Sequence, residues 1–316
     1  VLLLSVSLFF FATSIIGAIY LATAARALAK FARLPCPLAT EFLPSVAILK
    51  PVAGLEPDLY ENLASFCDQD YGGWAEVFFC LHKESDPALA VVEQVIADSP
   101  SCRACVVFGE NPDLTNPKIA NLAKDGVITT RDIVVIADSD VRVGRTFLRA
   151  LAADFESQRV GAVTCLYSGS PGESIVSRLG ALGIDDSFAP SVLVAQRLGE
   201  LRFCVGAVMA VRGTLLPVIG GLTALGNTFA DDNELGRLVT RKGFRVELSR
   251  YTVTMTVAET TLGELWAHEL RWARTEFALA RAGYAVSFLI YTLPMALIYL
   301  AVSRDLFVGL ALLGII

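Results

Sequence analysis

The chain has 316 residues, 54% of them hydrophobic, with a mean hydropathy of +0.56 and a formal net charge of −6. That is too apolar for an ordinary soluble domain, and it predicts one globular unit joined to membrane segments. The acidic balance gives no reason to expect a nucleic-acid partner.

Residues 1–25 carry no charge, and Arg26, Lys30 and Arg33 follow directly. The run is long enough to span a hydrocarbon core, so residues 1–28 are expected to form a transmembrane helix with its carboxyl end in the cytoplasm. A cleaved signal peptide is the competing reading. The apolar run is too long for a typical h-region, and no basic n-region precedes it. After a short linker, residues 45–50 predict a strand that runs into Pro51, Val52, Ala53 and Gly54, where Pro and Gly let backbone approach a ligand. Residues 57–67 read as a helix, 76–81 as a second strand, 89–97 as a helix and 105–108 as a third strand. The exit from the second strand, His82 to Pro87, is polar and includes Asp86.

Next comes Asn116-Pro117-Lys118, with Asn121 three residues after the lysine. On a helix begun after Pro117, Lys118 and Asn121 would share a face over one cleft. A solvent-exposed helix start is the plainer alternative. Residues 133–137 are apolar and, Ala137 apart, β-branched, which predicts a buried parallel strand. It ends in Asp138-Ser139-Asp140. In open α/β sheets ligands collect beyond the carboxyl ends of the strands, so both carboxylates would face a cleft and suit a hard divalent cation, Mg²⁺ or Mn²⁺. The pair would serve equally well as caps of the following turn, and the strand alone leaves the two readings level.

Residues 147–155 read as a helix and 161–166 as a strand. An amphipathic stretch, 173–199, contains Asp185 and Asp186, which follow no buried strand and are read as a helix surface or acceptor-side contact. A strand is expected over 204–211. The acidic cluster Asp231-Asp232-Asn233-Glu234 then opens a helix, where carboxylates also suit the macrodipole. Two more strands, 244–248 and 251–257, close the sheet. This alternation predicts an α/β fold with a mostly parallel, Rossmann-like sheet.

Residues 262–281 predict an amphipathic helix. At 3.6 residues per turn Leu262, Leu265, Trp266, Leu270, Ala273 and Phe277 share one face, and Glu264, His268 and Arg271 lie on the other, with Trp272 near the boundary. The apolar face is expected on the bilayer surface, although Glu269 and Glu276 intrude near it. Residues 285–302 are uncharged and predict a second span that tolerates Pro294. Arginines 271, 274 and 281 precede it, which puts both flanks and everything between them in the cytoplasm. Residues 306–316 stop short of a full span and are expected to be re-entrant or part of a further helix. The seven cysteines (36, 67, 80, 102, 105, 165 and 204) are expected to be reduced there. Cys102 and Cys105 form a lone CxxC, too little for a zinc site.

Six segments now stand in order: ILKPVAG (48–54), ENLASFCDQDY (61–71), NPKIANL (116–122), IADSDVRV (136–143), ADDNELG (230–236) and HELRWART (268–275). In these the chain resembles a family 2-type glycosyltransferase with the GT-A fold, in particular the ceramide glucosyltransferase family. TCLYSG (164–169), PSVLVAQRLG (190–199) and WAHELRWART (266–275) look most like the hopanoid-biosynthesis branch of bacteria.

The resemblance implies a GT-A domain over 44–258, an interfacial helix over 262–283 and membrane segments over 285–316. It implies a multi-pass protein of the inner membrane that moves a sugar from a UDP-sugar, UDP-N-acetylglucosamine or UDP-glucose, to a lipid hydroxyl. The implied acceptor is a hopanoid such as bacteriohopanetetrol, with ceramide as the alternative. Asp138 and Asp140 would hold the metal. Pro51, Gly54, Asp86, Lys118, Asn121 and Asp138 would line the nucleotide site. Asp232 would be the general base with Asp231 beside it, and Arg271, Trp272 and His268 would complete the catalytic set. The chain departs from the family pattern at His268, where Gln or Arg is usual. It departs again after the second strand, where Lys83 and Glu84 stand in place of an earlier aspartate. Two other readings share some of these features: a processive polysaccharide synthase and a catalytically inactive membrane scaffold.

Overall fold

The computed structural model describes residues 2–123, 130–303 and 305–315. In chain order the elements are α1 (Leu2–Arg33), β1 (Val46–Pro51), α2 (Leu59–Cys67), β2 (Ala75–Leu81), α3 (Ala88–Asp98), β3 (Arg103–Phe108), α4 (Pro117–Leu122), β4 (Ile133–Ala137) and β5 (Val141–Arg142). They continue with α5 (Phe147–Asp154), β6 (Val160–Pro171), α6 (Ile175–Gly183), α7 (Ala189–Leu198), β7 (Val208–Arg212), α8 (Asp231–Arg241) and β8 (Arg245–Val257). The last are α9 (Leu262–Leu279), α10 (Arg281–Val286), α11 (Thr292–Ser303) and α12 (Leu306–Ile315).

The chain divides into two compact units. The larger, Leu34–Ala189 with Leu198–Leu265, holds one eight-stranded sheet in the order β3-β2-β1-β4-β7-β6-β8-β5. β1, β2, β3 and β4 pair in parallel, as do β6 and β8, while β7 runs antiparallel to β4 and β6, and β5 runs antiparallel to β8. The sheet is therefore mixed, with a parallel half that changes direction at the β4–β7 pair. Strands β1 and β4 lie inside the sheet, with neighbours on both sides. Val46 to Leu49 and Ile133 to Ala137 are buried throughout, as expected of strands covered on both faces.

That reversal places the site. Because β4 and β7 are antiparallel, Ala137 lies opposite Val208, and Asp138 N donates to Ala207 O (3.1 Å). The acidic exit of β4 thus lies beside the approach to β7. The strand expected to begin at residue 204 begins at Val208, since the backbone before it is spent elsewhere. The buried Thr164 hydroxyl accepts from Val205 N (2.8 Å) and donates to Val208 O (2.9 Å), and Cys204 N donates to Asp232 O (3.1 Å). The two strands expected at 244–248 and 251–257 are one strand, β8, which pairs along β6 across two register shifts. The stretch 173–199 consists of α6, a π-helical turn (Ile184–Phe188) and α7, and on that turn Asp185 Oδ1 accepts from Gly169 N (3.1 Å).

The smaller unit comprises Val1–Arg33, Pro190–Arg197 and Trp266–Ile316. Among the described residues one helix, Leu3–Arg33, is by itself long and apolar enough to cross a membrane. It runs past the expected residue 28, so Arg26, Lys30 and Arg33 sit on its final turns. The expected second span is broken: Arg281–Ile290 and Thr292–Ser303 meet at a 61° bend. Gly17 of α1 packs against Thr292, where a Cβ would lie 2.3 Å from Thr292 Oγ1, so the absence of a side chain lets the two helices approach. Ala296, Tyr299 and Leu312 form a small core with Phe10, Ile15, Val308 and Leu313 against it.

Candidate active site

Five chain segments meet at the edge where β1 and β4 end and β7 begins. β4 delivers Asp138 and Asp140, and β1 delivers Lys50 and Pro51. The segment before β7 delivers Gly206. The first turns of α4 and α8 deliver Lys118, Asp231 and Asp232.

The two helix starts are tied together. Asn116 caps α4, its Oδ1 accepting from Ile119 N (3.2 Å), and Pro117 fits the first helical position because its missing N–H is not needed there. The same asparagine reaches the loop before α8 twice, through Asn116 N to Gly226 O (2.8 Å) and Asn116 Nδ2 to Thr228 O (3.2 Å). Helix α8 is seated on the 202–203 backbone, where a Cβ at Gly236 would lie 2.4 Å from Phe203 Cα. The acidic cluster at the start of α8 is fixed from both sides.

Lys118 Nζ stands 2.7 Å from Asp138 Oδ1, 3.3 Å from Asp231 Oδ2 and 3.3 Å from Gly206 O. Burial works against its charge, but Asp138 and Asp231 hold its pKa above the ordinary lysine value. Lys50 is completely buried at the end of β1. Its ammonium donates to the Asp138 carbonyl and sits 4.0 Å from the Phe66 ring centroid. Burial pushes its pKa down to about 7, against the pull of Asp140, Asp138 and Glu56. Lys50 is not among the residues picked out from the sequence. Its signal was a lone lysine closing the otherwise apolar strand VAILKP, where a charge has no solvent to face.

Asp140 Oδ1 is buried and has no hydrogen-bond partner among the described residues. Burial raises its pKa to about 7, with Asp138 and Glu56 adding to the shift and Lys50 and Lys118 opposing it. A buried carboxylate oxygen without a donor suits a cation ligand. Among the described residues no three His, Cys, Asp or Glu side chains form a full metal cage. A pair of carboxylates is nonetheless the donor set that Mg²⁺ or Mn²⁺ uses when diphosphate oxygens and water complete the shell. Asp138 and Asp140 fit such an ion.

Asp232 lies on the other side of Gly206. A Cβ at that glycine would come 3.3 Å from Asp232 Oδ2, and Asp232 Oδ1 accepts from Asn233 N (2.7 Å). Burial and then Asp231 raise the Asp232 pKa to about 6. The two neighbouring acids thus have different partners: Asp231 faces Lys118, and Asp232 faces the gap beside Gly206.

The remaining expected nucleotide residues sit on the same strand ends. Gly54 takes φ +70°, which favours glycine, and its N–H donates to Asp86 Oδ1 (3.0 Å). Asp86 Oδ1 also accepts from Ala88 N (2.9 Å) at the start of α3, so this carboxylate joins the β1 and β2 exits. Asn121 is buried, and its amide donates to Cys80 O (2.8 Å). Lys118, three residues earlier on α4, meets Asp138 and Asp231. Arg271, Trp272 and His268 lie on α9 in the smaller unit, where the His268 and Trp272 rings meet edge to face at 4.6 Å and Arg271 is exposed. The seven cysteines are free thiols.

The sheet order, the reversal at β7 and the acidic strand exit together define the GT-A fold of nucleotide-sugar glycosyltransferases. A mannosyltransferase from Pyrobaculum calidifontis, solved in complex with GDP-Man and Mn²⁺, has the same fold, with a TM-score of 0.66, 18% identity and coverage of 99% of this chain and 90% of that one. The chain belongs to glycosyl transferase family 21, whose model matches residues 9–316.

Among curated proteins it is similar to ceramide glucosyltransferase 1 of Caenorhabditis elegans, with 25% identity over 238 residues, 75% of this chain and 51% of that protein. It is also similar to an N-acetylglucosaminyltransferase of Rhizobium meliloti, with 24% identity over 249 residues, 76% of this chain and 58% of that protein. The chain spans about half the length of these relatives.

Proposed function

We propose that this protein is a membrane-bound inverting glycosyltransferase that moves a sugar from a UDP-sugar to a hydroxyl of a lipid, with Asp232 as the base. The observation that carries the reading is the division of labour between the two acids at the start of α8. Lys118 engages Asp231, while Asp232 is held near neutrality at about 6 beside a glycine that leaves room for a hydroxyl. A base with such a pKa is deprotonated at neutral pH and still accepts a proton as the acceptor oxygen attacks.

In the proposed reaction the lipid hydroxyl passes its proton to the Asp232 carboxylate. Its oxygen bonds to the anomeric carbon, and the bond to the diphosphate oxygen breaks with its electrons leaving on UDP. One displacement at one face inverts the anomeric centre. A divalent ion on Asp138 and Asp140 would neutralise the charge of the departing diphosphate. Pro51, Gly54 and Asp86 would frame the nucleotide, Lys118 would add positive charge beside it, and Asn121 would steady α4 against β2. Arg271, Trp272 and His268 would complete the catalytic set that the family resemblance implies. The long apolar helix Leu3–Arg33 and the bent pair that follows α9 support a multi-pass protein of the inner membrane with its catalytic unit in the cytoplasm.

For the donor and acceptor we favour UDP-N-acetylglucosamine or UDP-glucose and a hopanoid polyol, the reading carried by segments 164–169, 190–199 and 266–275. Glucosylation of ceramide is the second reading, favoured by the named activity of the nematode relative. The test is a transfer assay in membranes, with both UDP-sugars offered against bacteriohopanetetrol and ceramide and the products read by mass. A hexosamine or hexose on the hopanoid supports the first reading, and a hexose on ceramide replaces it with the second. Chelation should abolish transfer and added Mn²⁺ or Mg²⁺ should restore it. Turnover undiminished by EDTA would refute the role given to Asp138 and Asp140.

A further inference from the structure

Lys118 touches both acidic motifs. Its ammonium meets Asp138 Oδ1 at 2.7 Å, donates to Gly206 O at 3.3 Å and forms an ion pair with Asp231 Oδ2 at 3.3 Å. The lysine is aimed as well as paired. It stands in the first turn of α4, whose cap is bonded to the 226–228 loop that leads into α8, so its root is fixed to the element that carries Asp231. Its side chain is only 21% exposed. Asp138 is 35% exposed, so solvent screens the pair in part, and its 2.7 Å geometry rather than burial is what marks it.

The carboxylate that Lys118 holds is one of the two assigned to the metal. Asp140, two residues on, keeps a buried oxygen with no hydrogen-bond partner among the described residues. One carboxylate of the pair is thus already neutralised by a cation of the protein itself, and the other has an oxygen waiting for one. A divalent ion entering alone would have to displace or crowd the Lys118 ammonium. An ion entering with a diphosphate would bring new oxygens for that ammonium to bond.

We propose that Lys118 is a resident counter-ion of the donor site, bridging Asp138 and Asp231 until the metal and the nucleotide diphosphate arrive together, when Asp138 is exchanged from lysine to metal. The proposal rests on the reading of Asp138 and Asp140 as the metal pair and adds a regulation of that site. It makes metal and nucleotide binding cooperative through one side chain. Each should raise the affinity for the other by the same factor, because coupling between two equilibrium binding events is reciprocal.

The experiment titrates Mn²⁺ against the purified full-length chain in detergent, with free Mn²⁺ read by electron paramagnetic resonance, in the absence and presence of UDP. For the parent chain, Mn²⁺ alone should bind weakly and UDP should tighten it. In Lys118→Met and Lys118→Gln, Mn²⁺ alone should bind about tenfold tighter, the equivalent of losing one charge-assisted competitor, and the further tightening by UDP should shrink by about the same factor, leaving only what the diphosphate oxygens contribute as metal ligands. Lys118→Arg, which keeps the cation, should behave as the parent. The glutamine variant retains a hydrogen-bond donor for the bridge and serves if the methionine variant fails to fold.

A gain in metal affinity with reduced coupling is an outcome that a merely structural lysine would not give. Unchanged or weaker Mn²⁺ binding in both neutral variants, with the parent still binding Mn²⁺ in the presence of UDP, overturns the counter-ion role and leaves the donor site standing. Absence of Mn²⁺ binding by the parent chain even with UDP overturns the metal assignment, and the counter-ion role falls with it.

Discussion

Replacing Asp232 by Asn removes the proposed base while changing little else in size or shape. The carboxylate has a raised pKa of about 6, chiefly through burial and then through Asp231. At pH 7 it is therefore roughly nine-tenths ionised and at pH 5 roughly one-tenth, so kcat of the parent enzyme should fall about tenfold across that window, with the acid limb near 6. A general base contributes on the order of 10²- to 10⁴-fold, so the Asn variant should turn over at least about a hundredfold more slowly at pH 7 and lose the acid limb. The contacts of Lys118 with Asp138 and Asp231 do not involve this carboxylate, so KM for the UDP-sugar should shift by less than about threefold. The assay is initial-rate transfer to lipid from pH 5 to 8, together with UDP-sugar binding. A variant that keeps more than about a tenth of parental kcat, or keeps the same limb near pH 6, refutes the assignment.

Gly206→Ala tests the same geometry from the other side. Its methyl would lie 3.3 Å from Asp232 Oδ2 and 3.8 Å from Asp232 Cγ, so the base must shift by a few tenths of an ångström. A drop in kcat of about ten- to a hundredfold with nearly unchanged donor KM is expected from steady-state kinetics. Gly213→Ala probes the sheet, since a Cβ there would lie 1.7 Å from Arg131 O, backbone that cannot give way cheaply. A loss of about 2–4 kcal/mol in unfolding free energy is expected, read as a lowered Tm, and a variant as stable as the parent would contradict the packing.

The run Ile133 to Ala137 was readable because a buried strand needs an unbroken apolar segment and a polar end, and both are local. The same holds for the caps and first turns of α4 and α8, where Asn116-Pro117 and the acidic cluster mark helix starts. The start of β7 was not readable. What delays it to Val208 is the Thr164 hydroxyl and the Asp232 carbonyl, partners 41 and 28 positions away from Val205 and Cys204. No local pattern encodes such bonds. Ser249 and Arg250 look like a break between two strands, yet β8 runs through them because β6 accommodates the irregularity with register shifts.

Within the site the residue types were legible but their partners were not. Lys118 and Asn121 share a spacing that suggests a common face, while the structure gives one to the acids and the other to the Cys80 carbonyl. The uncharged run from 285 to 302 shows its length but not its 61° bend. The bend falls near Thr292, whose contact with Gly17 depends on a residue in the first helix.

The antiparallel seam between β4 and β7 has a consequence for how such a protein can diversify. Asp138 and Gly206 are brought together by the pairing of Ala137 with Val208, not by the length of chain that runs between them. The excursion through α6 and α7 leaves the sheet after β6 and returns before β7, so both of its ends are pinned while its middle carries no part of the seam. Lengthening or rewriting that excursion would leave the acids and the glycine in register. A lineage holding this seam constant has 36 residues between β6 and β7 whose middle can change without moving the ends of those strands.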